Sequence, residues 1–167
     1  QEPARPSTRL STLLAADPAI GFGVDTTIVE ALEAATVDQE ESLADQPEVQ
    51  AAVRYALGTA YFKLGRYDEA DPLLRLALSA RRGLPGVDAL DIADSAVRVG
   101  ELESVQGNYE AAEALMLEGL AVRRELLVEH RDTAYALERL AMLYRDLGRY
   151  DEAGEAIAEA VAARRAL

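Results

Sequence analysis

The chain has 167 residues, no cysteine, no tryptophan, one histidine and a formal net charge of −13, and half of its residues are apolar. That is one domain's worth of sequence with enough apolar side chains to bury a core, and it excludes disulfides and thiolate metal sites outright. The acidic excess would repel a phosphate backbone, and no apolar run approaches the ~18 residues that a membrane span needs, so neither nucleic acid nor direct membrane insertion is expected.

The first residues, Gln1-Glu2-Pro3-Ala4-Arg5-Pro6, precede no long apolar stretch and do not begin with Met, which fits an excerpt or a processed chain and leaves localisation open. Residues 7–16 are expected to form a short helix and Asp17–Gly23 a loop, from its proline and glycines. Thr27-Ile28-Val29-Glu30 has capping-box spacing and predicts a helix over about residues 28–44. Residues 1–46 then form an N-terminal extension whose helix covers the open end of a repeated helical array.

From Asp45-Gln46-Pro47-Glu48 onward the sequence repeats itself. The spacing predicts an N-cap acid at Asp45, a proline in the first turn and a helix over about 47–64, followed by a second over about 67–83. Pro72 falls early in that second helix, where it forfeits one backbone bond at most. Gly65-Arg66-Tyr67-Asp68-Glu69-Ala70 returns 42 residues later as Gly107-Asn108-Tyr109-Glu110-Ala111-Ala112, and 41 residues after that as Gly148-Arg149-Tyr150-Asp151-Glu152-Ala153. Upstream, Leu57-Gly58 with Tyr61 matches Val99-Gly100 and Leu140-Ala141 with Tyr144; downstream, Arg81-Arg82 matches Arg123-Arg124 and Arg164-Arg165. The remaining helix pairs are therefore placed at about 88–106 with 109–127, and 131–147 with 150–166. The expected architecture is all-α: three hairpins (about 47–87, 88–129 and 130–167) in a right-handed α-solenoid behind an N-terminal helical cap.

Gly65, Gly107 and Gly148 sit where a helix C-terminus takes a left-handed residue. Gly58, Gly100 and Ala141 on the first helices face Ala70, Ala112 and Ala153 on the second, at close crossings. Tyr61, Tyr67, Tyr109, Tyr144 and Tyr150 are assigned to packing. The middle copy departs from its neighbours: Glu103 stands where they have Tyr61 and Tyr144, and Gly119 where they have Ala77 and Ala160. The arginine pairs are read as complementing helix C-terminal dipoles rather than as a basic stripe.

The thrice-carried pattern Leu57-Gly58-Thr59-Ala60-Tyr61…Gly65-Arg66-Tyr67-Asp68-Glu69-Ala70…Leu74…Ala77 resembles the tetratricopeptide repeat, in its long kinesin-light-chain-like form. More narrowly, Ala16-Asp17-Pro18, Thr26–Leu32 and Ala44–Ala51 look like the entry into the repeat region of bacterial multidomain signalling proteins such as serine/threonine kinases. The resemblance implies a non-catalytic docking portion that binds a protein or peptide on the inner surface of the first helices. It carries the groove onto Tyr55, Thr59, Phe62, Lys63, Asp94, Val97, Glu101, Tyr135, Glu138, Met142 and Arg145, with Tyr55, Phe62, Val97, Tyr135 and Met142 as its floor. Where kinesin-light-chain-like repeats often carry paired asparagines, this chain has Tyr55-Ala56, Val97-Arg98 and Glu138-Arg139.

No cofactor or metal set is expected. His130-Arg131-Asp132 spells a kinase catalytic-loop tripeptide, but Leu137 replaces the metal-binding asparagine and no Gly-rich loop, catalytic lysine or Asp-Phe-Gly accompanies it. It is read as the entry to a helix, with Asp132 or Thr133 near the cap. The expected function is a protein-interaction scaffold. The alternative is a homo-oligomerisation module that brings attached domains together, pairing through an uncovered last helix with Ile157, Ala160 and Val161 partly exposed.

Overall fold

The computed structural model describes residues 24–126 and 131–165, and every regular element among them is an α-helix. The chain divides into two units, Gln1–Asp45 and Gln46–Leu167. The first contributes α1 (Val24–Ser42), where the Thr36 hydroxyl donates to the Leu32 carbonyl at 2.8 Å. This helix starts three residues before Thr27, so Thr27-Ile28-Val29-Glu30 lies inside it instead of capping it. The short helix expected over 7–16 and the loop at 17–23 fall outside the described residues.

The second unit holds three hairpins. Hairpin 1 pairs α2 (Pro47–Lys63) with α3 (Tyr67–Gly83), hairpin 2 pairs α4 (Ala89–Val105) with α5 (Tyr109–Leu126), and hairpin 3 pairs α6 (Arg131–Asp146) with α7 (Tyr150–Arg165). They stack in chain order, α3 packing on α4 and α5 on α6. The three inner turns are identical in construction. Gly65, Gly107 and Gly148 have φ of 73°, 83° and 73°, and the next residue's N–H reaches back to the carbonyls of Tyr61, Glu103 and Tyr144 at 2.8–3.0 Å. That closes each first helix with a Schellman bond, while the carbonyls of Arg66, Asn108 and Arg149 accept the first bonds of the second helices.

One start differs from expectation. Gln46, not Asp45, is the N-cap of α2, with no side-chain capping bond, and Pro47 takes the first turn. The helix expected from Arg131 is α6, with Asp132 in its first turn and Thr133 buried. Asp88 caps α4, accepting from Leu90 N–H at 2.9 Å. Pro72 lies in the second turn of α3, which continues through it.

The crossings are as tight as the small residues require. A Cβ at Gly100 would stand 2.9 Å from Met116 Cγ and 3.0 Å from the Ala112 carbonyl, and one at Gly58 would stand 2.8 Å from Leu74 Cγ. Gly119 explains itself likewise: its Cβ would fall 2.8 Å from the Ala93 carbonyl and 2.6 Å from Val97 Cγ2. The middle hairpin is thus closed at both ends of its crossing. Ala70, Ala112 and Ala141 are buried, and Ala153 packs against the core.

The other departure in the middle hairpin is also compensated. Arg66 lies over the Tyr61 ring at 5.8 Å and Arg149 over Tyr144 at 4.3 Å. In hairpin 2 both members change together: Glu103 takes hydrogen bonds from Asn108 at 2.8 Å and from Arg75 of α3 at 2.6 Å. Tyr150 is not a packing residue, being 71% exposed, and Tyr109 is 40% exposed. Tyr67 packs edge-on against Phe62 with ring centroids 5.3 Å apart, but the residues in Phe62's place are Ser104 and Arg145, which offer the later tyrosines no ring.

Candidate functional site

Successive first helices approach one another, α2 to α4 and α4 to α6, within 8 Å between Cα atoms, whereas α3, α5 and α7 do not. The first helices therefore line the inner side of the stack and the second helices splay outward. Long ion pairs span the wider outer gaps: Arg82 of α3 forks onto Glu118 of α5 at 2.7 and 2.6 Å, and Arg124 of α5 onto Glu159 of α7 at 2.9 and 2.5 Å.

Across the inner side runs a ladder of rings and guanidinium groups. Arg81 lies 4.6 Å over the Tyr55 ring; Arg98 lies 5.3 Å from the Phe62 centroid and 5.8 Å from that of Tyr135; Arg139 lies 5.1 Å over Tyr135. Such contacts gain when water is thin. Their centre is the buried Glu101, which pairs with Arg98, accepts from the Tyr135 hydroxyl at 2.6 Å and sits 3.6 Å from Arg139 Nε. One carboxylate thereby joins α4 to α6.

The protonation states follow from this arrangement. Burial, then the hydrogen bond and charge of Glu101, push the Tyr135 phenol up to about 12. Burial, with the Asp94 charge, raises Tyr55. Burial works against the charge on Arg98, but Glu101, Tyr135 and Tyr55 outweigh it and its pKa rises. At neutral pH Tyr55 and Tyr135 are therefore neutral phenols and Arg98 is charged. Among the described residues no three His, Cys, Asp or Glu side chains gather as a metal site. What this surface offers is planar stacking and fixed side-chain charge.

The remaining expected groove residues divide into three kinds. Thr59 is half-buried with its hydroxyl unpartnered, and Lys63, Met142 and Arg145 are exposed on the inner helices. Asp94 and Glu138 are tied to the second helices, Asp94 by Arg123 and Glu138 by Arg164 at 2.7 Å. Val97 does not belong to the floor: it is buried in the core, where the missing side chain of Gly119 admits it. Ala160 is likewise buried, while Ile157 and Val161 are exposed.

Arg98 and Arg139, which stack on the rings and reach Glu101, were not singled out from the sequence. Their shared register, 41 residues apart at the second position of the expected asparagine pairs, was the available signal. The arginine pairs lie in last helical turns as expected, but their side chains do more than face a dipole. Arg81 donates to the Asp91 carbonyl at 2.9 Å and to Ser95 Oγ at 2.8 Å, joining hairpins 1 and 2. Below it a shallow cavity of about 180 Å³ opens between the first turns of α2 and α4, lined by Glu48, Ala51, Asp88 and Asp91. His130 lies outside the described residues.

A tetratricopeptide-repeat family model matches residues 49–125 and again 91–166. The chain belongs to the tetratricopeptide repeat family. Proteins with TPR arrays are generally scaffolds that bind other proteins. Among solved structures, a Podosopora anserina protein described as a kinesin light chain with nearly identical TPR-like repeats superposes with a TM-score of 0.70 at 19% identity, over 98% of this chain and 76% of that one. BtubC (BKLC) from P. vanneervenii superposes with a TM-score of 0.69 at 20% identity, over 81% of this chain and 56% of its own length. At such identities the likeness is one of fold. No curated protein matches the sequence. No helix among the described residues is long and apolar enough to cross a membrane.

Proposed function

We propose that this TPR unit is a non-catalytic docking scaffold that binds a protein partner along the inner side of α2, α4 and α6, within a larger signalling protein. The observation that carries the groove is the ladder from Tyr55 and Phe62 through Arg98 and Glu101 to Tyr135 and Arg139. It holds rings and charges of three hairpins in one fixed surface, so that a partner finds them already ordered. The signalling context rests on the likeness of residues 16–51 to the entry of kinase-linked repeat regions.

The test substitutes exposed positions, where the fold is indifferent. Ala56→Arg with Met142→Arg fills the inner side, and Leu76→Arg with Leu117→Arg alters the outer helices by the same charge. Quantitative capture from a native extract should lose its specific set of bound proteins with the inner pair and keep it with the outer pair. The reverse pattern would refute the groove.

A further inference from the structure

Each hairpin carries an arginine in one register of its second helix, Arg81, Arg123 and Arg164, and the three are not partnered alike. Nη2 of Arg123 binds Asp94, and Nη2 of Arg164 binds Glu138 at 2.7 Å, each a carboxylate on the first helix of the same hairpin. Hairpin 1 has Ala52 and Tyr55 at those two positions. Arg81 therefore stacks on the Tyr55 ring and gives its Nη1 protons to the Asp91 carbonyl and Ser95. Its Nη2 has only the Asp91 carboxylate, at 3.7 Å, beyond hydrogen-bond reach. The residue is nonetheless only 7% exposed, and a buried guanidinium nitrogen without an acceptor is costly. Arg81 and Ala52 both line the cavity of about 180 Å³, which lies where the counterpart of Asp94 is missing.

The other charges around the cavity are negative. Glu48 has no ionic partner among the described residues, and Asp88 spends one oxygen on the Leu90 N–H. With Asp91, three carboxylates surround one guanidinium, so a bare anion seated on Arg81 would be repelled. The occupant must bring an acceptor and a cation together. The volume is below the ~300–1,000 Å³ of sites that enclose drug-sized molecules, and it suits the terminal group of a chain.

We propose that this cavity captures the free N-terminus of a partner polypeptide. The α-ammonium sits among Glu48, Asp88 and Asp91, and the first carbonyl accepts from Arg81 Nη2. Both groups hang on one α-carbon, which suits a site offering carboxylates and a donor within one small volume. Ala51, Ala52 and Val87 supply an apolar wall for a small first side chain. That the occupant is a polypeptide rests on the docking reading above; the charge pattern of the cavity does not.

The probe is the tripeptide amide Ala-Ala-Ala with a free N-terminus, titrated at millimolar concentration into the whole chain. Backbone amide shifts of Gly86, Val87 and Asp88 should move and saturate. N-acetylation of the tripeptide should weaken binding at least about tenfold. Glu48→Gln with Asp88→Asn removes two charges while asparagine still caps α4, and should weaken binding comparably. Ala52→Leu should abolish it by filling the cavity. The Ala56→Arg with Met142→Arg chain, altered in the groove alone, should bind the tripeptide as the parent does, so failure of groove capture and failure of the cavity are separate results. Equal binding of the acetylated tripeptide, or full affinity in the Glu48 and Asp88 variant, would overturn the proposal. So would free alanine binding as tightly as the tripeptide, which would make the occupant an amino acid, or Nα-acetyl-lysine amide doing so, which would make it a side-chain amine.

Discussion

Gly119→Ala tests whether the crossing of α4 and α5 depends on a missing methyl group. The added carbon would fall 2.6 Å from Val97 Cγ2 and 2.8 Å from the Ala93 carbonyl oxygen. Val97 can shift slightly, but the carbonyl belongs to the backbone of α4 and cannot, so the two helices must separate. Overpacking of this kind costs about 1–3 kcal/mol, against a gain of about 1 kcal/mol in helix propensity when glycine becomes alanine. Gly154→Ala isolates the second quantity, because nothing lies within 4 Å of its Cβ position in α7. The propensity gain is common to both, so the two single-methyl variants should differ by the overpacking cost, about 1–3 kcal/mol. At roughly 2–4 °C per kcal/mol for a chain of this size, their melting temperatures should separate by about 2–12 °C, the Gly154 variant above the parent and the Gly119 variant below it. Thermal unfolding followed by far-ultraviolet circular dichroism reads this directly. A Gly119→Ala protein that melts at or above the parent would show that the helices have slack at this point.

Three further expectations rest on the geometry. Tyr67→Ala should destabilise by about 1 kcal/mol or more through loss of the Phe62 contact, whereas Tyr150→Ala should stay within about 0.5 kcal/mol of the parent, as denaturant midpoints will show. Tyr135, raised in the fold from an ordinary value near 10 to about 12, contributes stability that is fully present below pH 10 and is lost as pH climbs toward 12; Tyr135→Phe should remove that alkaline loss, measured as unfolding free energy across the interval. Glu103 is held below the usual carboxylate range by its bond from Arg75, so its contribution is present above that range and fades as the solution is acidified through the depressed value. Glu103→Gln should flatten the acid limb of the stability curve, and an unchanged limb would mean that the Arg75 pair does not persist in solution.

The helices and turns were legible because they rest on local rules that the sequence states three times. A glycine at each left-handed cap and an apolar period of three to four residues place all six helices of the hairpins within a residue or so. The N-caps were less legible, since Asp45 and Gln46 both stand beside Pro47 and only backbone geometry decides which one ends the coil. The meeting of Tyr55, Phe62, Glu101 and Tyr135 on the first-helix side was legible by register, but Val97, buried in the core, shows where register fails. Whether that position turns inward depends on Gly119, a residue on the opposite helix whose absent side chain opens space for a valine. Tyr150 fails for a related reason: the pattern that places Tyr67 on a ring holds only while Phe62 is aromatic, and in the third copy that position is Arg145.

These exchanges show what the repeat preserves. In hairpins 1 and 3 the end of the first helix is held to the turn by an arginine over a tyrosine, and in hairpin 2 by Asn108 and Arg75 on the carboxylate of Glu103. The identities differ, but each solution ties the last turn of the first helix to the residue after the left-handed glycine, at turns whose backbone bonds and φ recur in all three hairpins. On the stack so built, one buried carboxylate, Glu101, reaches Arg98 beside it and Tyr135 and Arg139 on the next hairpin. The inner surface is thus a consequence of turn geometry repeated three times, and its chemical individuality comes from the positions that geometry leaves free: Arg98 and Arg139 in one register, where hairpin 1 has Ala56.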